Sequence, residues 1–241
     1  MTIKPRLSSS WSEELAIVTG ASRGLGRHFA TFLADKGATV VLLARNEDAL
    51  ASVVTDIKAL GGRAMALPFD LLADPLDELH SRIADLTSMR PSILINNAGI
   101  AAEGPATRVS SVDLESLMAL NVVTPFRLSS LCAVRWMGYG TRGRIVNIAS
   151  LASVTTAPSI AAYAMSKAAL AHQTRCLAAE WAPYHIAVNA LSPGYIETEM
   201  NAALWTEKRG KALIRKSRDS ALDRLRVCDP PSSLCVILPT Q

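Results

Sequence analysis

The sequence is poor in aromatic residues and lacks any recognisable pairing of cysteines. Phe, Trp and Tyr make up 5% of the 241 residues, although the hydrophobic fraction is 49%. A large core is therefore expected to consist mainly of aliphatic side chains and alanine. None of the cysteines belongs to a C-x-x-C pair or has a histidine at zinc-ligand spacing, so we predict reduced thiols and no metal site. The cysteines are Cys132, Cys176, Cys228 and Cys235.

Long hydrophobic runs and a strong charge imbalance are also missing. No run of about 18 apolar residues, the minimum for a membrane span, occurs. The N-terminal stretch MTIKPRLSSSWSEELAIV has no apolar signal core. We therefore expect no membrane segment and a cytoplasmic location. The formal net charge of +4 suits an anionic small ligand and does not argue for a nucleic-acid partner.

Short β-branched runs alternate with longer segments in which Leu and Ala recur every three or four positions. Nearly continuous apolar strands separated by helices indicate a parallel sheet buried on both faces. Right-handed crossovers then give a doubly wound α/β fold with helices on both faces. We predict one domain over residues 1–241, with an atypical tail from about residue 217. The predicted strands are 15–19, 39–43, 63–69, 92–96, 144–149 and 186–191, and the predicted helices are 24–36, 46–60, 74–88, 110–137 and 160–182.

A glycine-rich turn, TGASRGLG at residues 19–26, joins the first predicted strand to the first helix. Gly20 permits a tight turn at the strand end. Gly24 and Gly26 let backbone N–H groups at the positive end of the helix approach a pyrophosphate. The strand–turn–helix context favours dinucleotide binding over a purely structural turn.

Two arginines stand where the adenosine ribose of such a cofactor would lie. A carboxylate at the end of the second strand would accept a hydrogen bond from the 2′-hydroxyl of NAD, but LLARNED places Arg45 there. Arg23, in the glycine turn, can reach the same place, so we predict NADP rather than NAD. The alternatives are that both arginines are ordinary surface residues, or that Glu47 or Asp48 reaches the ribose.

The stretch AAYAMSK contains a possible acid–base pair. Tyr163 and Lys167 are four residues apart and share one face of a predicted helix. Alone, such a pair is usually a solvated helix face. A tyrosine used near neutral pH needs its pKa lowered by about 3 units from about 10. An ammonium at about 4 Å would supply that effect. Ser150, just after a predicted strand, is a candidate hydrogen-bond donor for the same site.

Seven motifs occur in an order and spacing that resemble the short-chain dehydrogenase/reductase family, in its compact, non-extended branch. The resemblance covers roughly residues 13–215 and implies a Rossmann-like seven-stranded sheet and a homodimer or homotetramer. The segment SPGYIETEMN is most similar to bacterial 3-oxoacyl-reductase-like or gluconate-dehydrogenase-like members. The motifs are TGASRGLG (19–26), Asp70 in FDL, NNAG (96–99), Asn121, IVNIAS (145–150), YAMSK (163–167) and SPGYIET (192–198).

The resemblance also implies a function: hydride transfer between a nicotinamide cofactor and a small carbonyl or alcohol substrate, interconverting a ketone and a secondary alcohol. Tyr163 is implied as proton donor or acceptor, and Asn121 is implied to hold a water relay to Lys167. The implied catalytic residues are Asn121, Ser150, Tyr163 and Lys167. The implied cofactor-binding residues are Gly20, Ser22, Arg23, Gly24, Leu25, Gly26, Arg45, Asp70, Leu71, Asn97, Ala98, Gly99, Tyr163, Lys167, Pro193, Gly194, Ile196 and Thr198.

The C-terminal segment departs from the family. Members usually continue into a final strand, often ending V-T-G…D-G-G, and the sequence has no such segment. We therefore expect a final strand that is missing or atypical, for instance after a frameshift or early stop. A milder alternative is that LCVIL (234–238) supplies the edge strand. The alternative function is a catalytically impaired nucleotide-binding protein that lacks the final strand.

Overall fold

Seven strands form one sheet in the order β3-β2-β1-β4-β5-β6-β7. The computed structural model describes residues 11–102 and 104–194 and the backbone of residues 235–238. Strands β1 to β6 pair in parallel, which confirms the doubly wound, Rossmann-like sheet predicted from the sequence. The strands are β1 Leu15–Thr19, β2 Thr39–Ala44, β3 Arg63–Pro68, β4 Pro91–Asn96, β5 Gly143–Ile148, β6 Ile186–Pro193 and β7 Cys235–Leu238.

Helices cover both faces of this sheet. Side chains of α1 and α2 pack on one face, and those of α3, α5 and α6 pack on the other. The predicted helix 74–88 is shorter in the structure, because Pro75 precedes a 3-10 turn, Leu76–Glu78, before α3 begins. The helices are α1 Gly24–Asp35, α2 Glu47–Ala59, α3 Leu79–Leu86, α4 Ser111–Met118, α5 Thr124–Tyr139 and α6 Ala161–Trp181.

Strand β1 shows why the apolar runs are nearly continuous. All five of its residues are buried. Leu15 and Ile17 belong to the core cluster on the α5 side, whereas Ala16 and Val18 belong to the cluster on the α1 side. Because successive side chains of a strand point to opposite faces, a strand covered on both faces needs apolar residues at both sets of positions.

The last strand is atypical, as expected. Strand β7 runs antiparallel to β6 and pairs with residues Ala190–Pro193, the C-terminal half of that strand. It lies within the LCVIL segment, so the milder alternative describes this edge of the sheet. The pairing satisfies backbone groups that would otherwise be left at an open edge.

The predicted helix 110–137 changes from α-helical to π-helical geometry near its centre. Helices α4 and α5 are joined by a π-helical segment, Ala119–Val123, so that Ser111–Tyr139 is continuous. Among the described residues, this is the one helix long and apolar enough by composition to cross a membrane. Leu128 and Trp136 of α5 pack in the core beside the sheet, which accounts for much of its apolar character.

Candidate active site

The predicted site residues converge at the carboxyl edge of the sheet, where the strand order reverses between β1 and β4. In open α/β sheets, ligands bind in the crevice at such a reversal. The glycine turn follows β1, the NNAG turn ends β4, and Ser150 follows β5. The start of α6 brings Tyr163 and Lys167 to the same edge.

The glycine turn is packed too closely for any side chain at Gly26. A Cβ there would lie 2.2 Å from the backbone oxygen of Gly20 and 2.6 Å from Nδ2 of Asn97. The side-chain amide of Asn97 donates to the backbone oxygens of Thr19 and Gly20, at 2.9 and 3.2 Å. Asn97 therefore holds the glycine turn in shape, a role that sequence reasoning did not assign to it.

Thr19 is a second residue that sequence reasoning missed. Its hydroxyl oxygen accepts from the backbone amides of Asn97 and Ala98, both at 2.9 Å, and the side chain is buried. One hydroxyl thus connects the end of β1 to the turn after β4. The sequence feature that could have identified it is a polar residue at the end of an otherwise apolar strand.

The loop after β3 is ordered around Asp70. Its Oδ1 atom accepts from the backbone N–H of Leu72 at 3.0 Å, and its own backbone N–H donates to Oδ2 of Asp74 at 2.8 Å. The backbone N–H of Phe69 donates to the oxygen of Ala44 at 2.9 Å, which places this loop beside the end of β2. The neighbouring Leu71 is buried.

Arg23 and Arg45 are both exposed and follow the ends of adjacent strands β1 and β2. Within the described part of the chain, neither guanidinium pairs with a carboxylate. Arg27, by contrast, contacts Asp56 at 2.8 Å. Two unpaired guanidiniums at this position are suited to bind a phosphate group.

Asn121 lies within the π-helical segment and is fully buried. Its side chain accepts from the backbone N–H of Ile100 at 2.9 Å and donates to the backbone oxygen of Ile100 at 2.8 Å. It also donates to the hydroxyl of Ser166 at 3.1 Å, and Ser166 donates to the backbone oxygen of Tyr163 at 2.7 Å. Asn121 therefore joins the loop after β4 to the helix that carries Tyr163. Ser166 is a further residue that sequence reasoning missed.

Lys167 is buried, and its ammonium donates to the backbone oxygen of Ile148 at 2.8 Å. A Cβ at Gly99 would lie 3.5 Å from this nitrogen, so the NNAG turn passes close beside it. The nitrogen is 5.8 Å from the centre of the Tyr163 ring. Burial lowers the pKa of Lys167 to about 8, because a charged ammonium loses hydration inside the protein.

The predicted lowering of the Tyr163 pKa is wrong for the chain alone. Burial raises the pKa of its hydroxyl above the ordinary value, and a hydrogen bond from Ser150 only partly opposes this effect. The physical reason is that loss of hydration disfavours the phenolate. Without further charge in the site, Tyr163 therefore remains protonated at neutral pH.

The remaining predicted contacts fall near the end of β6. Pro193 is its last residue and Gly194 follows it. Ile196 and Thr198 lie outside the described residues. No cluster of three or more His, Cys, Asp or Glu side chains suited to a metal ion occurs in residues 11–102 and 104–194.

Comparison with known proteins identifies the family. The sequence model for short chain dehydrogenases matches residues 14–209. The chain belongs to the short-chain dehydrogenase family. It is therefore an oxidoreductase of a family that uses NAD(P), and the glycine turn, closed to a side chain at Gly26, fits a dinucleotide pyrophosphate.

Named relatives of this short-chain dehydrogenase differ in substrate and cofactor. Gluconate 5-dehydrogenase of Gluconobacter oxydans is 39% identical over 197 residues, which cover 81% of this chain and 76% of that protein. The NAD-dependent glycerol dehydrogenase of Listeria innocua is 34% identical over 224 residues, 90% of this chain and 85% of its own. A solved gluconate 5-dehydrogenase from Burkholderia cenocepacia, in complex with NADP and tartrate, is 31% identical, with a TM-score of 0.77 over 86% of this chain and 83% of that chain.

Proposed function

We propose that this short-chain dehydrogenase interconverts a ketone and a secondary alcohol, with Tyr163 exchanging the proton and NADP(H) exchanging the hydride. The observation that carries the proposal is the meeting of Ser150, Tyr163 and Lys167 beside the NNAG turn. A bound nicotinamide supplies a hydride to the substrate carbon in one direction and accepts it in the other.

Tyr163 is the proposed proton donor for reduction. Because burial keeps its hydroxyl protonated, it can donate a proton to the carbonyl oxygen as the alcohol forms. Ser150 is proposed to donate a hydrogen bond to the same oxygen and so stabilise its developing negative charge. Its Oγ atom accepts from the backbone N–H of Ala152 at 3.2 Å. In the proposed complex the substrate oxygen replaces Tyr163 as the acceptor of the Ser150 proton.

Lys167 is proposed to stabilise the Tyr163 phenolate that alcohol oxidation requires. Its ammonium is held at the end of β5 by the oxygen of Ile148 and is shielded from solvent, which strengthens its electrostatic effect. Asn121 is proposed to support a water relay to Lys167. The side-chain bonds of Asn121 to Ile100 and Ser166 hold this part of the helix against the NNAG turn.

NADP is the proposed cofactor, with NAD the alternative. Unpaired Arg23 and Arg45 support a 2′-phosphate contact, and the relative of known structure with NADP supports the same choice. The Listeria innocua relative is named as NAD-dependent, so family membership alone does not separate the two cofactors. The proposed contacts remain those predicted from the sequence, including Ser22, Leu25, Ile196 and Thr198.

A polyhydroxy acid such as gluconate is the first proposed substrate to test. Two of the relatives described above are gluconate 5-dehydrogenases, which supports this class over a 3-oxoacyl thioester. We further propose a single domain, since all seven strands share one sheet. A cytoplasmic location is proposed because Cys132 and Cys176 are free thiols.

The test is an assay of NADP⁺ reduction with gluconate and related polyols, and of NADPH oxidation with a panel of ketones. We expect turnover by the wild type and a loss of at least about 100-fold in Tyr163→Phe, with cofactor affinity unchanged. Cofactor binding without any turnover would favour the alternative, an impaired nucleotide-binding protein, for which the antiparallel β7 is the supporting observation. Undiminished turnover by Tyr163→Phe would remove Tyr163 as the proton donor.

A further inference from the structure

We propose that Ser153 is a positioning residue, whose hydroxyl sets the placement of Ser150 relative to the helix that carries Tyr163 and Lys167. This inference rests on the proposed function, in which Ser150 contacts the substrate oxygen. Ser153 ends the short 3-10 turn Leu151–Ser153, which follows Ser150 directly. It is partly buried and touches neither the glycine turn nor the NNAG turn through any described hydrogen bond.

The Ser153 hydroxyl bonds to both segments that carry site residues, the turn after β5 and helix α6. Its oxygen accepts from the backbone N–H of Ser150 at 3.3 Å. Its proton is donated to the backbone oxygen of Lys167 at 3.0 Å. A single side chain thus connects the turn after β5 to α6, at the residue whose ammonium is held by Ile148.

These bonds constrain the direction of the Ser150 side chain. Ser150 has an extended backbone and caps the 3-10 turn, with Oγ accepting from the N–H of Ala152 at 3.2 Å. Ser150 and Ser153 therefore bond reciprocally around the turn, in the manner of a capping box. Loss of the Ser153 hydroxyl would release the Ser150 amide and the link to α6 together. The Ser150 hydroxyl would then be free to move away from the substrate oxygen.

Thr155 offers a matched comparison in the same segment. Its hydroxyl donates to the backbone oxygen of Leu151 at 3.0 Å, a bond within the same segment, and makes no other hydrogen bond to the described residues. Removing this hydroxyl perturbs the local turn without breaking the link between Ser150 and Lys167. Thr155 is exposed, and Thr155→Val keeps the shape of the side chain.

The experiment compares Ser153→Ala, Ser153→Thr and Thr155→Val with the wild type in the full chain. For Ser153→Ala we expect kcat to fall about 10-fold while KM for the cofactor changes less than about twofold, because misplacement of Ser150 affects the transition state and not cofactor binding. We expect Ser153→Thr, which keeps the hydroxyl, to restore most of the lost kcat. Thr155→Val should retain the wild-type kcat. A wild-type kcat in Ser153→Ala would overturn the proposal. So would an equal loss of kcat in Ser153→Ala and Thr155→Val.

A second measurement does not depend on turnover. Hydrogen–deuterium exchange at the Ser150 amide should be faster in Ser153→Ala than in the wild type, and close to the wild-type rate in Ser153→Thr and Thr155→Val. Unchanged exchange in Ser153→Ala would overturn the positioning role even in an active enzyme. If the wild type showed no turnover with any substrate, the proposed function would fail, and the exchange rates would still decide whether Ser153 holds Ser150 in place.

Discussion

The ammonium of Lys167 donates to the backbone oxygen of Ile148 at 2.8 Å. This bond joins the first half of α6 to the end of β5, directly before the segment that contains Ser150. Among the described residues, the charge is thus held by a strand end and not by a carboxylate. Burial lowers the pKa of Lys167 to about 8, which gives the site a measurable dependence on pH.

Replacement of Lys167 by Met should alter how stability depends on pH. Below pH 8 this lysine is protonated in both the folded and the unfolded chain, so the cost of burying its charge is fully present. Between pH 8 and about 10.5 the folded chain binds fewer protons, and stability rises with pH. Relative to Lys167→Met, the free energy of unfolding of the wild type should therefore rise by up to about 3 kcal/mol between pH 7 and pH 10.

Urea unfolding at both pH values measures this rise, and the exposed Lys58, changed to Met, is the control. An equal pH dependence in Lys167→Met and wild type would contradict the burial of a charged Lys167.

Arg45→Asp should shift cofactor preference toward NADH. The new carboxylate would repel a 2′-phosphate and accept a hydrogen bond from a ribose hydroxyl. We expect the ratio of kcat/KM for NADPH to that for NADH to fall at least about 10-fold. Arg142→Asp is a matched control, because Arg142 is exposed and precedes β5 at the opposite edge of the sheet. Arg142→Asp should keep the wild-type ratio. If Arg45→Asp keeps it as well, Arg45 does not contact the phosphate.

Thr19→Val should loosen the contact between the end of β1 and the NNAG turn, where we propose that the cofactor binds. The substitution preserves the side-chain shape but leaves the partly buried amides of Asn97 and Ala98 without the Thr19 hydroxyl as acceptor. We expect a loss of about 2 kcal/mol in the free energy of unfolding and about a 10-fold weaker cofactor affinity. Thr31→Val is the control, since the Thr31 hydroxyl donates only to Arg27 within α1. Wild-type cofactor affinity in a folded Thr19→Val variant would show that the Thr19 hydroxyl is not needed for cofactor binding.

His80 should make the fold sensitive to acid. It is buried on α3, with its Nε2 atom 3.9 Å from the sulfur of Cys132. Burial, assisted by the positive charge of Arg135, lowers the pKa of His80 to about 4. As the pH falls from 6.5 toward 4, the unfolded chain takes up a proton that the folded chain does not, so stability is lost. The melting temperature of His80→Gln should fall less between pH 7 and pH 4.5 than that of the wild type. His28→Gln, at an exposed position, should behave like the wild type.

Strand and helix positions were largely predictable because burial on both faces leaves a strong pattern in the sequence. The prediction for β1, residues 15–19, matches its bounds, since four of its five side chains face one of the two cores. The interruption at Ala119–Val123 was not predictable in the same way. An extra residue in one turn of a helix leaves the apolar pattern on either side almost unchanged.

The candidate site likewise contains residues that the sequence predicted and residues that it did not. Local motifs predicted Ser150, Tyr163, Lys167 and the glycine turn, because each depends on a short segment with its own geometry. Thr19 and Ser153 were missed, since each bonds to a residue on another element of the fold, Asn97 after β4 and Lys167 on α6.

The sequence by itself determined the alternation of strands and helices, the glycine turn after β1 and the residue types at the candidate site. These properties follow from local spacing and from apolar patterning along each element. Only the tertiary structure decided the ionisation of Tyr163 and Lys167, because burial depends on every element packed around them. It likewise decided the antiparallel direction of β7 and the bonds that link β1, β4, β5 and α6. Those depend on which chain segments meet in space, and no short stretch of sequence contains that information.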